Sequence, residues 1–156
     1  MNTLSITKEN ALKCYQEASG EVKTAILNLV GKEHLLNITE RIKSYQDACE
    51  HQGITPLNVG YFSFLPEIDR VHAFAAHKVV TIIRSLNEGW VPDWSDDDQS
   101  KYYVWYKNSG AGFSCSVYGY DCAYSDVGSR LHFKTLELAQ YFGKNFTTEI
   151  NEYFNI

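Results

Sequence analysis

The 156-residue sequence has no apolar run long enough to cross a membrane. Its first five residues lack the basic start and hydrophobic stretch of a signal peptide. We therefore expect a cytoplasmic protein with no membrane partner. In that compartment the four cysteines are expected to be reduced thiols, and the spacing of Cys115 and Cys122 does not match a zinc finger, so we expect no metal.

A basic cluster is also missing. The net charge is −5, and residues 61–100 carry three Lys or Arg against seven Asp or Glu. Because contacts to phosphate dominate the affinity of nucleic-acid binders, this charge pattern disfavours a nucleic-acid partner. The acids between 93 and 98 do not match a calcium loop, since counting from Asp93 puts Asp98 where that loop needs Gly and Val104 where it needs Glu.

The sequence also lacks the known catalytic motifs. The sequence contains no nucleophile elbow, no phosphate-binding loop, no dinucleotide fingerprint and no pair of His residues four positions apart. We therefore expect no cofactor, and the pattern favours a non-enzymatic protein. An enzyme with a dispersed site stays open, because catalytic partners meet in space rather than in sequence. Arg130 and His132, for example, are placed to approach Asp121 or Asp126, and the pattern favours a structural pairing across the turn over a catalytic one.

Helical periodicity dominates the first half of the chain. It predicts helices over 8–18, 21–29 and about 38–50, and Asn37 with Glu40 gives the third a clear start signal. The strongest helix is predicted to begin at Pro66 and to end near Asn87. Its apolar positions recur every three or four residues and predict the most buried helix of the protein: Ile68, Val71, Ala75, Val79, Ile82 and Leu86.

The second half reads as strands followed by a helix. Alternation predicts antiparallel strands at 102–106, 112–118 and 130–133, with a bulge at Gly119. Thr135 then caps one long amphipathic helix that reaches about residue 154. Gly143 inside that helix is expected to mark a close helix–sheet contact. The fold class is thus α+β: N-terminal helices, a long buried helix, and a three-stranded meander packed by a C-terminal helix.

We expect one domain over 1–156. Residues 1–53 are a candidate helical subdomain, and residues 89–156 are a candidate sheet-plus-helix subdomain.

Aromatic residues surround the acidic stretch, and they are the feature most typical of a binding surface. Tyr and Trp are enriched at hot spots of protein interfaces, and they also stack on single-stranded bases. Without a basic groove, base stacking is weak at physiological salt, so a protein partner is favoured and nucleic acid is the alternative. The predicted binding residues are Trp90, Trp94, Asp96, Asp97, Asp98, Tyr103 and Trp105.

Several motifs resemble a family of short, functionally uncharacterised proteins encoded by gut-type bacteria and by their phages and prophages. The resemblance covers most of the chain. It rests on these residues: Asn87-Glu88-Gly89-Trp90, Pro92-Asp93-Trp94, Lys101-Tyr102-Tyr103, Val127 to Leu131, Phe133-Lys134, Glu137-Leu138-Ala139, Tyr141, Gly143-Lys144, Phe146, and Ile42 to Gly53. What it implies is context, namely a phage or mobile-element protein in the host cytoplasm. It implies no activity and no functional residue.

Overall fold

A computed structural model describes residues 5–125 and 127–154. Its helices are α1 (Lys8–Glu17), α2 (Gly20–Val30), α3 (Lys32–Leu35), α4 (Ile38–Arg41), α5 (Tyr45–Gln52), α6 (Glu67–Leu86), α7 (Leu136–Asn145) and α8 (Thr147–Phe154). The strands are β1 (Lys101–Asn108) and β2 (Phe113–Asp121), and short 3₁₀ turns occupy Val59–Phe62 and Ser129–Leu131. The predicted α+β class is confirmed, with helices preceding the strands. No helix in the described part of the chain is long and apolar enough to cross a membrane.

The chain divides into two compact units, with the boundary between Arg41 and Ile42. In the first unit, α1, α2 and α3 contact one another. α4 begins with the predicted capping arrangement, in which the Asn37 amide donates to Glu40 Oε2 over 3.0 Å and the Glu40 amide donates to Asn37 Oδ1 over 2.9 Å. These reciprocal bonds use backbone donors that a helix start leaves unpaired.

The single helix predicted over about 38–50 is wrong. α4 ends at Arg41, and α5 begins at Tyr45. The cause is a second start signal, because Ser44 Oγ accepts from the Asp47 amide over 3.1 Å while Asp47 Oδ2 accepts from the Lys43 amide over 2.9 Å. Side chains that bond to nearby amides compete with a continuous helix.

In the second unit, α6 packs against α5 and α8. The C-terminal half of its apolar stripe is buried as predicted, with Val79, Ile82 and Leu86 at 0% exposure. The N-terminal half departs from the prediction, since Ile68 is 72% exposed and Val71 is 56% exposed. The apolar stripe of α6 is therefore continuous in sequence, but the rest of the protein covers it only along the later turns of the helix.

Two strands, not three, form the sheet among the described residues. β1 and β2 are antiparallel, and the predicted third strand meets β1 through a single bridge between Tyr102 and Phe133. The extended segment around Phe133 is short, since Ser129–Leu131 forms a 3₁₀ turn before it and Thr135 caps α7 after it. The side chain of Asn87 bonds to the backbone on both sides of Phe133, at the edge that faces away from β1. Its Nδ2 donates to the His132 carbonyl over 2.8 Å, and its Oδ1 accepts from the Lys134 amide over 3.0 Å.

Two glycines were given structural roles from the sequence, a close helix–sheet contact at Gly143 and a bulge at Gly119. Gly143 lies against the sheet as expected, since a Cβ there would be 3.2 Å from Val104 and Tyr118. The predicted bulge at Gly119 is wrong, because the register shift falls between Trp105 and Tyr106. Gly119 instead gives room to the ring of Tyr103, which would lie 2.7 Å from an added Cβ.

The one long C-terminal helix is also corrected. α7 ends at Asn145, and the buried Phe146 has non-helical dihedral angles before α8 starts at Thr147. The break allows α7 to contact both strands while α8 packs against α6 and β2. Asn151 fixes α8 to the sheet, since its amide group exchanges two hydrogen bonds of 2.7 and 2.8 Å with the backbone of Phe113.

We predict that Val79→Asp unfolds the protein, because it places an unpaired charge at a position with 0% exposure. The expected loss in the free energy of unfolding is about 4 kcal/mol or more, measured by urea denaturation. Val71→Asp, the same change on the exposed part of the helix, is the control and should cost less than about 1 kcal/mol. Equal losses for the two variants would show that α6 is wrongly placed.

Candidate functional site

The loop after α6 is shaped by its own acidic side chains. Glu88 and Gly89 have positive φ and reverse the chain at the end of the helix. Asp93 Oδ1 accepts from both the amide and the hydroxyl of Ser95, and these donors lower the pKa of Asp93. Asp96 Oδ1 accepts from the amides of Asp98 and Gln99 over 2.9 and 3.2 Å. We call residues 93–98 the acidic loop. Two of its carboxylates thus bind the loop's own backbone.

Lys101 anchors the acidic loop to the sheet. Its side chain has 0% exposure, and its Nζ donates to the carbonyls of Asp96, Gln99 and Cys122 over 3.0, 2.8 and 2.7 Å. An ammonium group has three donors, so all of them are used. The same Nζ lies 5.2 Å from the centre of the Trp94 ring, within cation–π range. One side chain therefore joins the loop, the end of β2 and an indole.

A row of rings extends from Trp94 across one face of the sheet. Trp94 meets His132 edge to face at 5.2 Å, His132 meets Tyr103 at 5.6 Å, and Tyr103 meets Trp105 at 5.6 Å. We call these four residues the aromatic row. α7 packs on the opposite face of the sheet through Gly143. The last ring, Trp105, is 42% exposed, and its cross-strand partner Val117 is 54% exposed.

The predicted binding residues have different environments. Asp96, Asp97 and Asp98 are exposed, and Trp105 is exposed at the end of the aromatic row. Tyr103 is only 6% exposed, and its ring packs against Trp105 and His132. Trp90 and Trp94 are half-buried.

A cleft of about 380 Å³ lies between α6, the loop that follows it and the turn at Ser129–Leu131. Trp90, Trp94 and Pro92 form its walls together with Val91, while Val80 and Ile83 of α6 supply an apolar floor. Its polar lining residues are Arg84, Asn87, Ser129, Arg130 and His132. We call it the Trp cleft.

Hydrogen bonds fix the polar lining of the Trp cleft. Gln52 Oε1 accepts from Arg84 Nε, and the Gln52 amide group in turn donates to the Thr81 carbonyl over 2.8 Å. His132 Nδ1 lies 3.0 Å from the Gly128 carbonyl. A carbonyl only accepts, so Nδ1 carries the proton in this contact. Asn87 holds the His132 backbone from the other side.

Sequence reasoning missed Lys101 and Arg84. A lysine at the start of a strand and an arginine on a helix both have the pattern of surface residues, and no spacing in the sequence sets them apart. Arg130 and His132 were expected near Asp121 or Asp126, but they meet the Trp cleft. Asp121 Oδ1 accepts from the amides of Ala123 and Tyr124, and Asp126 lies outside the described residues.

Across residues 5–125 and 127–154, no group of three or more His, Cys, Asp or Glu side chains is arranged to hold a metal ion. Comparison with known proteins finds no matching family model, no similar curated protein and no similar solved structure. The site is therefore interpreted from its own geometry.

We predict that Lys101→Met destabilises the protein by about 2–4 kcal/mol, because it leaves buried carbonyls of the loop and of β2 without a donor. The free energy of unfolding, from urea denaturation, measures this. Lys107→Met changes the same residue type at the exposed end of β1 and should stay within about 0.5 kcal/mol of the wild type. A Lys101→Met variant as stable as the control would refute the anchoring role.

Proposed function

We propose that this chain is a non-enzymatic accessory protein of a phage or another mobile element, and that it binds a protein partner. The binding surface consists of Trp90, Trp94 and Trp105 together with the acidic residues Asp96, Asp97 and Asp98. The observation that carries the proposal is an exposed indole, Trp105, at the end of an aromatic row that begins in the acidic loop.

The ordered packing of the Trp105 side chain supports this proposal. Trp105 packs edge to face on the buried Tyr103, and Tyr103 in turn is packed on His132 and over Gly119. An aromatic side chain that is already ordered loses little conformational entropy on binding, which is why such residues dominate interface energetics. The exposed Val117 beside Trp105 extends the apolar area.

The negative charge of the acidic loop favours a partner with a basic surface. Asp97 and Asp98 are exposed on a loop whose shape is fixed by Lys101. Trp94 belongs to the same loop. Negative charge on the loop that carries this indole favours a partner with a basic rim, because complementary charge accelerates encounter and sets the register of the complex. The context, a mobile element acting in a host cell, rests on the resemblance of the motifs alone.

The test is a binding assay against a partner isolated from an extract of a gut-type bacterium. Trp105→Ala should weaken binding by about 2 kcal/mol or more, a loss of roughly 30-fold, while leaving the fold intact. Tyr61→Ala removes another exposed aromatic ring, 59% exposed on the 3₁₀ turn before α6, and is the matched control. Trp105 is preferred to Trp94 because Trp94 also packs against Lys101 and His132.

The acidic residues give a separate kinetic prediction. Asp97→Asn with Asp98→Asn should mainly slow association and flatten its dependence on salt, with a smaller effect on dissociation. Asp96 is left unchanged because its carboxylate holds the loop.

Binding that survives Trp105→Ala, or that Tyr61→Ala weakens equally, would contradict the proposed surface.

A further inference from the structure

We propose that the Trp cleft binds the phosphate-bearing end of a nucleotide, either a free nucleoside monophosphate or the terminal nucleotide of a single strand. This proposal shares Trp90 and Trp94 with the proposed protein-binding surface, but it rests on the interior of the cleft and does not use Trp105 or the exposed acids.

The charge of the lining determines the sign of the ligand. Arg84 on α6 and Arg130 on the Ser129–Leu131 turn both line the cleft, and its described lining includes no Asp or Glu. The acidic loop keeps its negative charge, but the carboxylates of Asp93 and Asp96 are bonded to Ser95, Asp98 and Gln99, and none of the four acids of this loop lines the cleft. Guanidinium groups bind phosphate through paired hydrogen bonds, which give the bound anion a defined orientation.

The walls of the cleft determine the shape of the ligand. Trp90 is half-buried, lines the cleft, and has no ring partner among the described residues, whereas Trp94 is already packed against His132. A planar base can stack on such an indole above the apolar floor of Val80 and Ile83. A volume of about 380 Å³ lies within the range of small-molecule sites. An aromatic wall, an apolar floor and arginines at the rim together match a base joined to a phosphate.

The hydrogen bonds that hold the lining of the Trp cleft indicate that the cleft is largely formed before a ligand binds. Arg84 is held by Gln52, and the segment that carries Arg130 is fixed at His132 and Lys134 by the amide of Asn87. A site that is ordered before binding avoids part of the entropic cost of ordering its ligand contacts.

The probe is AMP, titrated into the full chain and followed by calorimetry and by the indole N–H signals of the three Trp residues. We expect a dissociation constant of about 1 mM or lower, with the signals of Trp90 and Trp94 shifting and that of Trp105 unchanged. Adenosine and inorganic phosphate, each alone, should bind at least about 10-fold more weakly, because each lacks one of the two contacts.

Arg130→Gln is the decisive variant, because the residue is exposed and its loss leaves the buried packing unchanged. It should weaken AMP binding about 10-fold and reduce the preference for AMP over adenosine, with Arg84 left as the remaining guanidinium of the lining. Lys144→Gln, which neutralises an exposed cation on α7 outside the cleft lining, is the control and should change neither value. A merely structural role of Arg130 would not alter the preference between the two ligands.

A 5′-phosphorylated tetrathymidylate, compared with free TMP, distinguishes the two sources of the nucleotide. Tighter binding of the strand, with a steeper salt dependence, assigns the cleft to strand ends, and equal or weaker binding assigns it to free nucleotides. Three results would overturn the proposal: unchanged Trp90 and Trp94 signals, an unchanged affinity in Arg130→Gln, or an equal loss in Lys144→Gln.

Discussion

The ammonium group of Lys101 is the interaction on which the candidate site depends. It is fully buried and donates to three carbonyls from two separate segments, residues 96–99 and Cys122. A buried charge is tolerated only where each of its donors is paired, so this geometry fixes the loop and the end of β2 together. The loop carries four of the seven aspartates and glutamates of residues 61–100, and an acidic segment of this kind would otherwise repel itself. The same ammonium group lies 5.2 Å from the centre of the Trp94 ring.

A second polar connection sets the other side of the Trp cleft. The amide of Asn87, at the end of α6, holds the backbone on both sides of Phe133, while Phe133 exchanges two backbone hydrogen bonds with Tyr102. The segment that carries Arg130 and His132 is thus fixed between a helix end and a strand. Ordered walls joined by buried hydrogen bonds are the usual basis of a pre-formed binding site. The aromatic row follows from this arrangement, since His132 is the ring that connects Trp94 to Tyr103.

Features with a local cause could be predicted from the sequence. The capping pair Asn37 and Glu40 and the buried later turns of α6 were read from spacing alone. The third strand was wrongly predicted, because alternation over four residues does not reveal that Ser129–Leu131 forms a 3₁₀ turn and leaves Phe133 with a single bridge to β1. Lys101 and Arg84 were missed for a different reason. Their roles depend on carbonyls and on Gln52, partners that the chain brings together only after folding.

The most direct test of the central claim is the side-chain signal of Lys101 in protein labelled with ¹⁵N-lysine. A buried ammonium with three hydrogen bonds exchanges its protons with water slowly, and the ring of Trp94 should shift its neighbouring CH₂ protons to high field. We expect Lys101 Nζ to give a persistent resonance, with contacts to Trp94, under conditions where the exposed Lys107 is lost to exchange. Exchange at Lys101 as fast as at Lys107, without the ring-current shift, would contradict the account.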